Sequence, residues 1–198
     1  MIDASLPTYR RSIRPMTAID GSAVPVTLSG PVEGRVIIML EATAPGAAYY
    51  DTVRERLHVA MFRTVVIRAD KRLTAKSVIG LLEQLKIVGG LLVGDGVGGE
   101  LAWNLAAAYR ERFTGLVVVD CGHPRVPTIT GVIPDKDCPA VELDTTVLVS
   151  TRAAHSVAYA SRRHVHAEFR LVELAGPRSS RHFTAQLATE IVVRALAR

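Results

Sequence analysis

The sequence predicts an α/β protein with a mostly parallel, doubly wound sheet and an N-terminal antiparallel hairpin. Short apolar runs of strand length alternate with segments of helical spacing, an order typical of a parallel sheet with helices on both faces. The Asp20-Gly21 pair between two apolar runs indicates a hairpin turn. A glycine cluster at residues 94–99 separates a predicted strand from a predicted helix. We expect a single domain over residues 1–198, because this length suits one core.

The elements of the first half follow from their apolar spacing. The hairpin is predicted over Met16–Leu28, with its turn at Asp20-Gly21. Two buried strands and two helices come next: strands at Arg35–Leu40 and Phe62–Arg68, and helices at Tyr50–Ala60 and Thr74–Leu85.

The second half continues the alternation and contains one long connection. Strands are predicted at Gly90–Val93, Gly115–Asp120, Thr145–Ser150 and Phe169–Leu174, and helices at Glu100–Arg112 and Thr184–Leu196. Residues 121–143 are rich in proline and glycine and show little periodicity. A loop of this length often has a function of its own.

Composition and charge argue against several classes of protein. The formal charge is +5, from 24 Lys and Arg against 19 Asp and Glu, but no basic block is interleaved with aromatic residues. We therefore expect no nucleic-acid partner. The apolar runs are far shorter than the roughly 20 residues of a membrane span, and the N-terminus lacks the apolar core of a signal peptide. We expect a cytoplasmic protein with no membrane contact.

The sequence does not indicate a metal or a cofactor. Cys121 and Cys138 are the only cysteines, and without a secretion signal we expect them to be reduced. His164 and His166 alternate in a predicted loop or short strand and could offer two ligands, but no third ligand lies near them in the sequence. We therefore predict no metal site and no bound cofactor.

The glycine cluster has two interpretations. Gly94, Gly96 and Gly99 fit the GxGxxG pattern of a dinucleotide-binding turn, and Asp120 ends the next strand, where a ribose-binding acid belongs. Alternatively, Gly94 and Gly98 flank Gly96 as the glycines of GxSxG flank the serine of a nucleophile elbow. The hairpin, two strands and two helices before the cluster favour the elbow, because a dinucleotide fingerprint usually opens its sheet.

The order of these segments resembles the α/β-hydrolase superfamily over roughly Arg14 to Leu196. The stretch LLVGDGVGGELAWNLAAAYRERFTGLVVVD is similar to the family's elbow strand, helix and following strand, and FRTVVIRAD is similar to the strand before them. LVELAGPRSSRHF is similar to the last strand and the catalytic-histidine loop. The resemblance implies a hydrolase-type sheet with little or no lid, since only residues 121–143 stand where many relatives have a cap.

Three departures from the family pattern concern the chemistry. Gly96 stands at the nucleophile position, and the elbow Gly94, Asp95, Gly96, Val97, Gly98 therefore offers no side chain for an acyl-enzyme. TTVLVSTRAAHS, after the penultimate strand, contains no carboxylate, and the cap is reduced. The resemblance assigns His182 to the family's histidine.

A residual dyad is one alternative that the resemblance leaves open. Some relatives place their acid where Asp120 stands, so His182 could act as a base that Asp120 orients. The backbone N–H of Val97 and an oxyanion-type loop at Ala42 and Thr43 would then stabilise developing negative charge. Such a protein would be a lyase, a cofactor-free oxygenase or a weak esterase. Asp95 is expected to be a turn residue and Cys121 a small core residue.

The leading prediction is a non-catalytic, hydrolase-like protein that binds a ligand or a partner. A short cap should leave the carboxyl edge of the sheet open, and exposed apolar surface there would suit a small apolar ligand, a protein partner or self-association as a homo-oligomer. The residual His182 and Asp120 enzyme and the dinucleotide-binding protein are the alternatives.

Overall fold

The computed structural model describes residues 11–42 and 49–197. Its sheet has eight strands, in the order β1-β2-β4-β3-β5-β6-β7-β8. The strands are β1 Ser12–Thr17, β2 Ala23–Ser29, β3 Arg35–Ala42, β4 Phe62–Ala69, β5 Gly90–Asp95, β6 Phe113–Val119, β7 Thr145–Val149 and β8 Phe169–Glu173. All pairs from β4 to β8 are parallel, which confirms the predicted, mostly parallel sheet.

The predicted N-terminal hairpin is confirmed. β1 pairs antiparallel with β2, which pairs antiparallel with β4. Between the strands, the Asp20 carboxylate accepts a hydrogen bond from the Ser22 backbone N–H at 3.0 Å. Gly21 has a φ of 82°, a left-handed conformation that favours glycine, so the Asp-Gly pair determines the turn.

The described residues form five helices, three of which differ from the prediction by more than one residue. They are α1 Tyr49–Val59, α2 Ala75–Gln84, α3 Val97–Ala108, α4 Arg152–Ser161 and α5 Arg181–Leu196. The sequence interpretation did not include α4. Predicted to begin at Glu100, α3 starts at Val97 instead, and its expected last turn is a separate 3-10 turn at Arg110–Arg112. α5 begins at Arg181 rather than Thr184 because the Ser180 side chain caps it by accepting from the Phe183 N–H.

Helices cover both faces of the sheet, as a doubly wound fold requires. One apolar cluster joins the sheet to α2, α3 and α4, and includes the fully buried Trp103. The other joins it to α1 and α5, through side chains such as Leu57 and Phe183. Trp103 donates its indole N–H to the Cys121 carbonyl at 3.3 Å, so its polar atom has a partner inside the core.

The connection between β6 and β7 contains turns but no helix, which confirms the predicted absence of a developed lid. Its end is fixed by a parallel bridge between Val141 and Val165. Among the described residues, no helix has the length and apolar character needed to cross a membrane.

Candidate functional site

The candidate site is at the carboxyl edge of the sheet, where the glycine cluster forms a tight strand-to-helix turn. β5 ends at Asp95 and α3 begins at Val97, with Gly96 alone between them. Gly96 has φ 56° and ψ −122°, and its carbonyl accepts from the N–H groups of Gly99 at 2.9 Å and Glu100 at 3.2 Å. This is the strand–turn–helix context that a nucleophile elbow requires. The position at its tip has no side chain.

The other glycines of the turn are explained by packing. A Cβ at Gly98 would lie 2.0 Å from the Leu40 carbonyl oxygen, and one at Gly94 would lie 2.4 Å from the Gly98 carbonyl oxygen. A Cβ at Gly99 would lie 2.7 Å from that of Cys121. Gly94 and Gly98 thus let α3 approach the backbone of the strands beside it, and Gly99 leaves room for the Cys121 side chain. This accounts for the pattern without a dinucleotide phosphate, and we favour the elbow interpretation.

The Asp95 side chain is buried and accepts several hydrogen bonds. Its carboxylate accepts from the Tyr49 hydroxyl at 2.8 Å, the Tyr50 hydroxyl at 3.1 Å and the Arg178 guanidinium. Burial and the adjacent Asp95 charge raise the pKa of Tyr49 to about 12 and that of Tyr50 well above its usual value. Both hydroxyls therefore remain protonated donors at neutral pH. Asp95 is more than the turn residue that the sequence suggested.

Asp120 follows β6 and is held in one orientation. Its φ of 50° is unusual for a residue other than glycine and marks a locally strained backbone. Its carboxylate accepts from the Ser150 N–H at 2.6 Å, from the Ser150 hydroxyl and from the Arg178 guanidinium. Asp120 is thus bound to β7 and to the segment before α5.

Arg178 connects the two carboxylates. One guanidinium nitrogen pairs with Asp95 and the other with Asp120, and the first also donates to the Tyr49 hydroxyl at 2.9 Å. Although partial burial opposes its charge, the carboxylates of Asp95 and Asp120 raise the pKa of Arg178 above its usual value. Arg178 is therefore a permanent cation. Sequence reasoning missed it, and the only available signal was an arginine in the loop assigned to the histidine.

Among the described residues, no hydrogen bond or ion pair joins His182 to Asp120. His182 is the second residue of α5 and is exposed, because capping at Ser180 extends the helix over the residues expected to form a loop. The partners of Asp120 within the described ranges are Ser150 and Arg178. Ala42 ends β3, whereas Thr43, the other half of the predicted oxyanion-type loop, lies outside the described residues.

A pocket of about 290 Å³ lies between the elbow, α4 and the 121–143 loop. Its walls are mostly small or apolar, and it is lined by Gly96, Glu100, Asp120, Cys121, Gly122, Val126, Thr128, Ile129, Pro134, Thr151, Ala154 and Val157. The tip of the loop also exposes apolar side chains to solvent: Ile129, Val132 and Ile133. Apolar surface was expected at this edge, and a protein partner or a second copy there stays a prediction.

His123 fixes the 121–143 loop over the pocket. Fully buried, it donates its backbone N–H to the Ser161 hydroxyl at 2.8 Å. Its Nδ1 accepts from the Arg125 N–H at 3.2 Å, so its Nε2 carries the proton and donates to the Pro139 carbonyl at 2.9 Å. Burial lowers the pKa of His123 to about 4, which keeps the ring neutral for this pattern. No sequence pattern indicated this role for His123.

The remaining nucleophile and ligand candidates have structural roles. Burial, with the nearby charges of Glu100, Asp95 and Asp120, raises the pKa of the Cys121 thiol well above its usual range, so no thiolate forms at neutral pH. His164 stacks on the His123 ring with centroids 4.7 Å apart. No three His, Cys, Asp or Glu side chains in the described part of the chain are grouped to hold a metal.

Comparisons with known proteins support the fold. No protein-family model and no curated protein sequence matches the chain. Among solved structures it is similar to a dienelactone hydrolase from Anabaena variabilis, with 16% identity and a TM-score of 0.73 over 96% of this chain and 99% of that one. It is also similar to a hydrolase from Pseudomonas aeruginosa, with 14% identity and a TM-score of 0.74 over 94% and 99%. It is similar as well to epoxide hydrolase A from Mycobacterium thermoresistibile, with 10% identity and a TM-score of 0.71 over 94% of this chain and 98% of that one. The chain therefore has the α/β-hydrolase fold, as predicted.

Proposed function

We propose that this protein uses the α/β-hydrolase fold to bind a small, largely apolar ligand and does not hydrolyse it. The observation that carries the proposal is Gly96 at the tip of the elbow. A hydrolase of this fold presents its nucleophile there, and glycine has no atom to donate.

The side chains around Gly96 do not replace the missing nucleophile or base. The Asp95 carboxylate is bound by two tyrosine hydroxyls and by Arg178, so it is not directed at a ligand. Cys121 stays a protonated thiol. Arg178, beside Asp120, is a permanent cation and cannot accept a proton as a histidine would.

Binding is favoured because the pocket beside Gly96 is already formed. Apolar side chains from two elements face it: Val126 and Ile129 from the loop, and Val157 from α4. His123 holds the loop through three hydrogen bonds, so little ordering is needed when a ligand enters. Concave, mostly apolar sites with few polar groups are typical of small-molecule binding.

Hydrolysis of p-nitrophenyl acetate tests the catalytic half of the proposal. We expect wild type and Gly96→Ser to match the buffer rate, because Arg178 cannot activate a serine. The double variant Gly96→Ser/Arg178→His should exceed the single variant at least tenfold, since it supplies both groups. Wild-type turnover that His182→Ala abolishes would refute the proposal and restore the residual-enzyme alternative.

Benzyl alcohol, a neutral probe followed by NMR titration, tests the binding half. Wild type should bind it saturably, and Val157→Trp, which fills the pocket, should abolish binding. Val193→Trp, on the outer face of α5, is the matched control and should bind as wild type does. Binding that Val157→Trp leaves unchanged would place the ligand elsewhere and contradict the proposal.

A further inference from the structure

The charged side chains of the pocket are all of one sign. Glu100 and Asp120 line it, and none of the described lining residues is a lysine, arginine or histidine. A ligand that fills this space therefore meets carboxylates against an otherwise apolar wall.

The two carboxylates differ in their partners. Asp120 is neutralised by Arg178 and receives two hydrogen bonds from Ser150. Glu100, half-buried in the first turns of α3, has no side-chain hydrogen bond or ion pair to any residue that the structure describes. The pocket thus contains one carboxylate whose charge is not compensated.

An uncompensated charge beside an apolar wall favours a ligand of opposite sign. Removing a carboxylate from water is unfavourable unless a cation or hydrogen-bond donor replaces the lost solvation. Inside a partly closed pocket, the attraction between opposite charges is stronger than in bulk water. A cationic ligand would form an ion pair with the Glu100 carboxylate, whereas an anionic ligand would be repelled by the carboxylates of Glu100 and Asp120.

The Cys121 thiol is buried beside the same carboxylates. Besides its burial, the nearby Glu100, Asp95 and Asp120 charges raise the pKa of Cys121, since each disfavours a thiolate. The volume of about 290 Å³ lies near the lower end of the roughly 300–1,000 Å³ typical of small-molecule sites.

We propose that the ligand of this pocket is a small amine with an apolar body, and that Glu100 binds its ammonium group. The apolar body lies against Val126, Ile129 and Val157, which face the space beside Glu100. This inference rests on the proposed function and adds the chemical class of the ligand and the residue that selects it.

Calorimetric titration with benzylamine, benzyl alcohol and benzoate at pH 7.5 tests the inference, because the three probes share a ring and differ in charge. Wild type should bind benzylamine at least tenfold more tightly than benzyl alcohol, and benzoate most weakly. Glu100→Gln, which keeps the shape and removes the charge, should reduce the amine preference to within about twofold. Glu100→Lys should reverse the order in favour of benzoate.

Glu111→Gln is the control, because it removes one exposed carboxylate at the opposite edge of the sheet, between α3 and β6. It should retain the full preference for benzylamine, and thermal unfolding should show that each variant is folded. Equal affinity of wild type for amine and alcohol, or an amine preference that survives in Glu100→Gln, overturns the inference and leaves the binding proposal intact. Failure of folded wild type to bind any probe overturns both.

Discussion

The elbow, residues 94–99, and the segment between β8 and α5, residues 174–180, lie at the same edge of the sheet, but different forces fix them. Backbone packing fixes the elbow, since added Cβ atoms at Gly94 and Gly98 would collide with main-chain oxygens. Charge fixes the second segment, since Arg178 in it pairs with Asp95 and Asp120. These collisions lie beside the tip of the elbow, so the packing that shapes it does not depend on a side chain at Gly96.

The contrast shows which parts of this fold can change independently. Gly94 and Gly98 cannot be replaced without moving α3, because they are where the helix meets β3 and β5. The side chain that reaches Asp120 is not constrained by close packing in this way, because Arg178 is about one-third exposed. A shared fold therefore preserves the backbone of the site more strictly than its chemistry.

The largest effect is expected at the elbow. Gly98→Ala places a Cβ 2.0 Å from the Leu40 carbonyl oxygen, and neither main chain can move without disrupting β3 or α3. We expect a loss of about 3 kcal/mol or more in the free energy of unfolding, measured by urea denaturation, or no folded protein at all.

Gly80→Ala is the matched control. Gly80 lies within α2, and its added Cβ would contact only the Ile19 side chain, at 3.4 Å. Because alanine favours a helix by roughly 0.5–1 kcal/mol over glycine, the same substitution should stabilise the protein here. If Gly98→Ala were as stable as wild type, packing would not be what fixes the elbow.

A smaller loss is expected when the ion pairs of the second segment are removed. Arg178→Ala leaves the Asp95 and Asp120 carboxylates without their cation, although hydroxyl donors remain for each. Breaking a buried pair costs about 3–5 kcal/mol, and the one-third exposure of Arg178 reduces this, so we expect a loss of about 2 kcal/mol. Arg181→Ala, an exposed position three residues later, should change the unfolding free energy by less than about 0.5 kcal/mol. Equal losses in the two variants would contradict the ion-pair account.

Much of the fold could be predicted because it follows from local patterns. The Asp20-Gly21 turn, the apolar strands and the glycine cluster can each be recognised from residues that are close together in the sequence. Helix α4 was missed because its ten residues, RAAHSVAYAS, bury only Ala154, Ala158 and Ser161. These buried side chains are small, whereas α2 buries the larger Val78, Leu81 and Leu82, which made its helical spacing visible in the sequence.

Less of the site could be predicted, because it depends on contacts distant in the sequence. Arg178 meets Asp95 from 83 residues away and Asp120 from 58 residues away. Which residue of the PRSSRH stretch reaches the sheet depends on where α5 begins, and the cap at Ser180 decides that. In this structure the side chain that reaches Asp120 from this stretch is Arg178 and not His182.

The smallest effect is expected at His182, the residue that the family resemblance assigned to catalysis. Because His182 is exposed in the first turn of α5, His182→Ala should change the free energy of unfolding by less than about 0.5 kcal/mol. Replacement of its neighbour, Phe183→Ala, should cost about 3–5 kcal/mol, because Phe183 is fully buried between α5 and the sheet. Urea denaturation of both variants measures the difference between their losses in the free energy of unfolding. A His182→Ala loss above 1 kcal/mol would mean that the His182 side chain has a partner in solution, and it would contradict the exposed position that the structure gives this residue.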